Sequence, residues 1–339
     1  MQKKTFCFIL LVLIVFLLQP KSGDCQFLRN KLKQLLVNKF DQQALQQPVK
    51  SVLATLLHDG LERSYYLYKP TNWDRKTSIP LVFLFHGGGG GGRGALYYYE
   101  LEKKAEEAGF LLVAPNGTGE TKHVLLTWNV GFGFGYAQKN NVDDVGFINA
   151  LIDELSSIYP IDPKRIYATG LSNGAIFCHF LAAHPGNRFA AIAPVVGTAG
   201  GRDKGKKKWI MPPVPQTPVS VCILQGLIDK RVPIEGGLQI KSTAAPKEML
   251  SASATIDFWL NANGSAKIAS SSYIKGLNAT LHEYGPGRNG TEVKAYVIHD
   301  MGHAWPGSTR VPRWGSDKPP VRFPGNDIIW EFFKTHPRP

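Results

Sequence analysis

The strongest constraint on the fold of this chain is a set of short apolar runs: Leu81 to Phe85, Phe110 to Ala114 and Phe189 to Val196 have no polar interruption, and Val219 to Leu224 has only Ser220. A strand with one face in water alternates apolar and polar residues. A run without alternation must be buried on both faces, as in a parallel sheet covered by helices. Ser64 to Lys69, Arg165 to Thr169 and Val293 to Ile298 read as further strands. Between the strands, Leu101 to Ala108, Asp144 to Tyr159, Gly174 to His184, Met249 to Leu260 and Asp327 to Lys334 carry helical spacing, with Ile148, Leu151, Ile152 and Leu155 on one face of the second. Strand and helix in alternation predict the α/β class, with a mostly parallel central sheet and helices on both faces.

The amino-terminal end has a different character. Two lysines lie within Met1 to Lys4, and an unbroken apolar run follows from Phe6 to Leu18. A membrane-spanning helix needs about 20 apolar residues, so this shorter run predicts a cleaved signal peptide over residues 1–25, export, and no stable membrane insertion. Leu28, Leu32, Leu35, Leu36 and Phe40 then share one helical face, and a Gln-rich passage leads to Pro48. Residues 26–50 are therefore assigned as an amphipathic leader and linker, and residues 51–339 as one domain.

Export bears on the cysteines. Cys7 falls within the signal peptide, and an oxidising compartment permits a bridge between Cys178 and Cys222. Their apolar surroundings favour two buried thiols instead. Asn116, Asn263, Asn278 and Asn289 stand in Asn-x-Ser/Thr sequons, surface acceptors for glycans in a eukaryotic host. The formal charge of +13, from 39 Lys and Arg against 26 Asp and Glu, admits anionic partners. Export argues against nucleic acid as one of them.

Chemistry enters at Gly170-Leu171-Ser172-Asn173-Gly174, a G-x-S-x-G pattern between a predicted strand and a predicted helix. That context is a nucleophile elbow, where glycines allow a strand to turn into a helix and lift the Ser hydroxyl above the sheet. A hydroxyl needs a base, and in this arrangement an acid and then a histidine follow in the chain. Asp229 lies just after the strand Val219 to Leu224, with Glu235 in reserve and Asp203 in a solvated basic loop. His303, in Gly302-His303-Ala304-Trp305-Pro306-Gly307, follows the last strand, and His299 is the second choice.

His86-Gly87-Gly88 opens a run of glycines after the strand Leu81 to Phe85. Bare backbone N–H groups there suit an oxyanion hole, with the N–H of Asn173 paired with one from Gly87 or Gly88. Asp143 and Asp144 read as helix caps rather than a paired-carboxylate site. The basic loop at residues 202–208 reads as a solvated face, with an acidic polysaccharide as the alternative.

Together, Leu84 to Gly88, Thr127 to Gly131, Val142 to Phe147, Gly170 to Gly174, Asp229 before Val232-Pro233, and Gly302 to Gly307 resemble the secreted esterases of the polyhydroxybutyrate depolymerase and feruloyl esterase family. The resemblance runs from about Gly60 to the end of the chain. It implies an α/β-hydrolase fold with Ser172 as nucleophile, Asp229 as triad acid and His303 as base, and it places Trp128 and Trp305 near the substrate. The sequence departs from the family at Gln225, where a His is usual, at residues 299–302, and in lacking cysteines at residues 131–136. No metal, nucleotide or other cofactor is implied. The expected activity is a serine carboxylesterase acting on feruloyl or acetyl esters of plant-wall polysaccharide, with hydroxyalkanoate oligomers as the alternative. A serine peptidase of the same fold and a non-catalytic carbohydrate-binding protein are the further alternatives.

Overall fold

A computed structural model describes residues 50–339 apart from 72, 75–76, 122–124, 134, 240–246 and 312–316. The expected signal peptide and almost all of the leader lie outside the described residues. The strands are β1 Val52–His58, β2 Leu61–Tyr68, β3 Ile79–Phe85, β4 Leu111–Pro115, β5 Ile161–Leu171, β6 Ala191–Val195, β7 Gly201–Asp203, β8 Ser220–Gly226, β9 Gly237–Leu238, β10 Lys247–Met249, β11 Ser270–Ile274, β12 Ala279–Tyr284 and β13 Val293–Ile298. Ten form one sheet in the order β1-β2-β4-β3-β5-β6-β8-β13-β12-β11, and β7, β10 and β9 form a small separate sheet. From β4 to β13 the neighbours run parallel. Antiparallel strands extend both edges. The expected mostly parallel sheet is therefore borne out.

The helices are α1 Gly92–Tyr99, α2 Leu101–Ala108, α3 Gly135–Lys139, α4 Asp144–Ile158, α5 Asn173–Ala183, α6 Ala252–Asn263 and α7 Gly325–Thr335. Side chains alternate along β3: Leu81, Phe83 and Phe85 face a core built with α4, α5 and α6, while Val82 and Leu84 face one built with α1, α2 and α7. This is why β3 and β4 are buried along their whole length and why their sequences do not alternate.

Three sequence expectations change. The glycine run does not stay a loop to its end: α1 begins at Gly92, whose N–H donates to Asn116 Oδ1 at 2.7 Å. Met249 belongs to strand β10, and the helix starts at Ala252, where Ser251 caps it by accepting from the Ala254 N–H at 3.1 Å. Two of the four sequons are not surface sites. Asn116 also donates to Ser64 Oγ, and Asn263 both accepts from the Val219 N–H and donates to the Val219 carbonyl, so burial and hydrogen bonding consume both amides. Cys178 and Cys222 are free, buried and on opposite faces of the sheet, which keeps them apart. Among the described residues, no helix is long and apolar enough to cross a membrane.

Two glycines separate propensity from packing. A Cβ on Gly94, inside α1, would meet only Tyr98 Cδ2 at 4.0 Å. Gly94→Ala is expected to stabilise the protein by about 0.5–1 kcal/mol in urea unfolding, because Ala has the better helix propensity. A Cβ on Gly174 would stand 2.5 Å from the Phe85 carbonyl oxygen, so Gly174→Ala is expected to destabilise by roughly 1–3 kcal/mol or more.

Candidate active site

Strand β5 ends at Leu171 and helix α5 begins at Asn173, leaving Ser172 alone to make the turn at φ 57°, ψ −118°. For a residue with a side chain this is a strained conformation, costing on the order of 1–3 kcal/mol. Hydrogen bonds hold it on both sides: the Ser172 N–H donates to the Val195 carbonyl at 3.0 Å, and its own carbonyl accepts from the Ile176 N–H at 2.9 Å. The flanking glycines are required by close approach. A Cβ on Gly170 would lie 2.7 Å from the Phe85 oxygen, and one on Gly174 would lie 2.6 Å from the His86 oxygen.

Asp229 sits in the loop after β8, with both carboxylate oxygens in use. Oδ1 accepts from the N–H groups of Arg231 at 2.7 Å and Val232 at 3.0 Å, and Oδ2 lies 2.7 Å from His303 Nδ1. Gln225, one of the departures in sequence, donates to the Val232 carbonyl at 2.8 Å and so braces this loop. Both Asp229 and His303 are buried. A proton held on Nδ1 by a carboxylate leaves Nε2 as the free, proton-accepting nitrogen of the ring.

The other candidates fall elsewhere. His299 Nε2 lies 2.9 Å from Thr280 Oγ1, and its ring rests against Tyr273. Asp203 is half-buried, with Oδ1 3.4 Å from the position of a Cβ on Gly133. Asp143 caps α4 by accepting from the Gly146 N–H at 2.9 Å, as expected. Asp144 is not a cap. It is buried, with Oδ1 2.6 Å from Arg63 Nη2 and Oδ2 accepting from the Asn129 N–H at 2.7 Å.

The glycine loop after β3 adjoins Ser172: a Cβ on Gly87 would stand 3.6 Å from Ser172 Cβ. The Gly87 N–H already donates to Tyr99 Oη at 3.4 Å. Among the described residues the Gly88 N–H has no such partner, which leaves it the freer candidate of the two for an oxyanion hole. The Asn173 N–H is the first of α5 and has no partner within the helix. It carries the helix-dipole end of the site.

Trp128 and Trp305 offer no ring face to a ligand, with 0% and 3% of their surface exposed. Trp128 instead joins the two halves of the proposed oxyanion hole. Its indole N–H donates to the His86 carbonyl at 3.0 Å, while its backbone N–H and carbonyl pair with the Asn173 side chain at 2.8 and 3.2 Å. Trp305 stacks on Tyr99 with centroids 4.4 Å apart and donates to Asn326 Oδ1 at 2.9 Å. Aromatic residues near a reactive histidine do not reveal from sequence which way they face.

Sequence reasoning also missed Asp317. Its Oδ2 accepts from the His303 N–H at 2.8 Å, and its own N–H donates to the His303 carbonyl at 2.9 Å. Gly302 makes room for it, since a Cβ there would run into the Asp317 carboxylate. No motif marks a half-buried loop aspartate 14 residues downstream, so no sequence signal was available.

Two histidines near the elbow are buried and neutral. His86 donates from Nδ1 to the Gly87 carbonyl at 2.8 Å and accepts at Nε2 from the Gly117 N–H at 3.0 Å. His179, in α5, accepts from Trp259 Nε1 at 2.9 Å. Burial lowers both from 6.5 to about 4.

Comparison with known proteins agrees with this architecture. No family model matches the chain. It is 28% identical over 139 residues to a bifunctional acetylxylan esterase/xylanase from Neocallimastix patriciarum, covering 41% of this chain and 18% of the relative. It is 29% identical over 237 residues to feruloyl esterase B from Piromyces equi, covering 69% of this chain and 41% of the relative. The chain thus spans less than half the length of either. Among solved structures, an acetyl xylan esterase from Aspergillus awamori superposes with a TM-score of 0.52 at 16% identity over 84% of this chain and 99% of that one. A Pyrococcus horikoshii acylaminoacyl peptidase gives 0.57 at 15% identity over 89% and 44%. The chain has the α/β-hydrolase fold. Within that fold it is similar in sequence to esterases of the feruloyl and acetylxylan type, as the resemblance read from its motifs implied.

Two outcomes follow from this geometry. Removing the charged acceptor in Asp317→Ala is expected to lower kcat on a small ester about tenfold with KM little changed, from the loss of a hydrogen bond worth about 1.5–3 kcal/mol. Unchanged kcat in the folded variant would contradict a positioning role. The second concerns pH. Unfolded histidines bind protons near 6.5, whereas His86 and His179 resist until about 4. The unfolded state therefore binds more protons in that window, and stability falls as pH drops through it. The slope is about 1.4 kcal/mol per pH unit for each histidine. Urea midpoints at pH 7 and pH 5 measure this, with the lower midpoint expected at pH 5.

Proposed function

We propose that this protein is a secreted serine carboxylesterase that works through an acyl-enzyme on feruloyl or acetyl esters of plant-wall polysaccharide. The observation that carries the reading is the Asp229–His303 pair at 2.7 Å together with a strained Ser172 at the head of α5. The similarity to acetylxylan and feruloyl esterases supports the ester class. Export rests on the charged start and the apolar run Phe6 to Leu18.

In this reading His303 Nε2 takes the Ser172 proton as Oγ attacks the ester carbonyl carbon. Asp229 holds the imidazolium that forms, and the N–H groups of Asn173 and Gly88 receive the oxyanion. Collapse of the tetrahedral intermediate breaks the bond to the alcohol oxygen, which takes the proton from His303. Water, deprotonated by the same histidine, then releases the acid and restores Ser172. With Trp128 and Trp305 buried, apolar substrate contact passes to the loop before the acid, where Leu227 and Ile228 are 42% and 57% exposed.

Ser172→Ala is expected to lower turnover of a short activated ester by about 10⁴-fold or more while the fold is retained. Wild-type rates in the folded variant would overturn the reading. His303→Ala is expected to lose activity to a similar extent and His299→Ala to keep it; the reverse would give the base to His299. A comparison of kcat/KM on methyl ferulate, acetylated xylan oligomers, a hydroxybutyrate trimer and a peptide amide resolves the substrate class. Preference for the trimer would favour a polyester depolymerase, and preference for the amide would refute the esterase reading.

A further inference from the structure

The segment at residues 202–208 carries five basic residues, and the structure divides them into two sets. Arg202 is used internally: Nε and Nη2 donate to Glu248 Oε2 at 2.9 and 2.5 Å, Nη1 donates to the Lys207 carbonyl at 3.2 Å, and the guanidinium lies 4.7 Å from the Trp209 ring centroid. Lys204, Lys206, Lys207 and Lys208 are all exposed, and none forms an ion pair among the described residues. Asp203, the only acid in the segment, is half-buried and forms no ion pair with any of them. Its Oδ1 stands 3.4 Å from the position of a Cβ on Gly133, and its charge acts on the buried Lys247. The undescribed internal residues 72, 75–76, 122–124, 134, 240–246 and 312–316 contain no Asp or Glu, so they supply no counter-charge.

The placement of these lysines relates them to the proposed site. The chain leaves the carboxyl end of β6, where the Val195 carbonyl holds the Ser172 N–H, and enters β7 at Gly201. Gly201 and Ile210 exchange backbone hydrogen bonds at 3.0 and 2.8 Å, closing the lysine segment into a loop. Ile210 Cγ2 lies 2.9 Å from the position of a Cβ on Gly131. Gly131 ends the stretch whose Trp128 backbone grips Asn173. The base of the basic loop is thus packed against the segment that supports the proposed oxyanion hole, and the loop follows the carboxyl end of β6, the strand that holds the Ser172 N–H.

We propose that this loop is a docking surface for an anionic polysaccharide, so that the ester hydrolysed is carried on a chain bearing uronate carboxylates. The proposal deepens the esterase reading and rests on it. One exposed ion pair contributes little, but a polymer with a carboxylate on successive sugar rings meets several lysines at once, without further cost in association entropy for each. A neutral glycan gains nothing from them. Single-stranded nucleic acid would also be drawn to the charge, but its binding relies on exposed aromatic faces for base stacking. Of the aromatic rings beside this loop among the described residues, Phe132 is buried and Trp209 has one face taken by Arg202.

The test compares the full chain with a variant carrying Lys204→Gln, Lys206→Gln, Lys207→Gln and Lys208→Gln. Hydrolysis of a small neutral acetyl ester reports folding and alignment of the catalytic groups in both. At low salt the variant is expected to show KM for acetylated polygalacturonate raised about tenfold, with KM for acetylated xylan unchanged. At about 0.3 M salt, where screening shortens the reach of each charge, the difference between the two proteins is expected to vanish. Equal KM for acetylated polygalacturonate in the two proteins at low salt would overturn the proposal. So would stronger displacement from immobilised polygalacturonate by single-stranded DNA than by free polygalacturonate. If the parent protein hydrolyses no ester, the esterase reading fails. Salt-sensitive retention on the immobilised polymer, lost in the variant, then still reports the docking surface by itself.

Discussion

The site depends on one close approach: the backbone of β3 at Phe85 and His86 runs so near the start of α5 that positions 170 and 174 have no space for a side chain. This contact fixes the turn at Ser172 against strain that an isolated segment would relax. It also brings the strand end bearing His86-Gly87-Gly88 alongside the helix end bearing the Asn173 N–H. Two backbone segments more than 80 residues apart thereby become the two sides of one small cleft. The glycines are needed for packing before they are needed for chemistry.

The two tryptophans maintain that arrangement. Trp128 bonds to His86 on one side and to Asn173 on the other, and it stacks on Phe177 of α5 with centroids 4.9 Å apart. Asp144, neutralised by Arg63, holds the neighbouring Asn129 N–H. Trp305 and Tyr99 link the histidine loop to the glycine loop in the same way. Polar groups this deeply buried are costly unless paired, and here each pairing also sets the position of a reactive loop. Beside Asp229, the exposed apolar side chains are the aliphatic Leu227 and Ile228.

Much of this was legible in the sequence because the strongest signals are local. Unbroken apolar runs gave the parallel strands, and Gly170 to Gly174 with Asp229 and His303 in order gave the candidate triad. What was missed depends on tertiary context. β1 and β11 are edge strands with exposed residues, β12 beside β11 is only half-buried, and Ser270–Ile274 has no apolar run to announce it. Helix α1 contains two glycines, which propensity disfavours, and forms because Gly92 fits against Ala114 where a Cβ would collide. Whether Trp128 faces a ligand or a core, and that Asp317 reaches back to His303, are set by folding at long range. Neither leaves a periodic trace.

The central claim is that Ser172, His303 and Asp229 act as one unit with Ser172 as the covalent nucleophile. Reaction of the active protein with a fluorophosphonate, followed by proteolysis and mass mapping, tests it directly. The account predicts a single adduct on Ser172, formed in step with loss of ester hydrolysis and greatly slowed in Asp229→Ala. An adduct on another residue, or full inactivation with Ser172 unmodified, would contradict it.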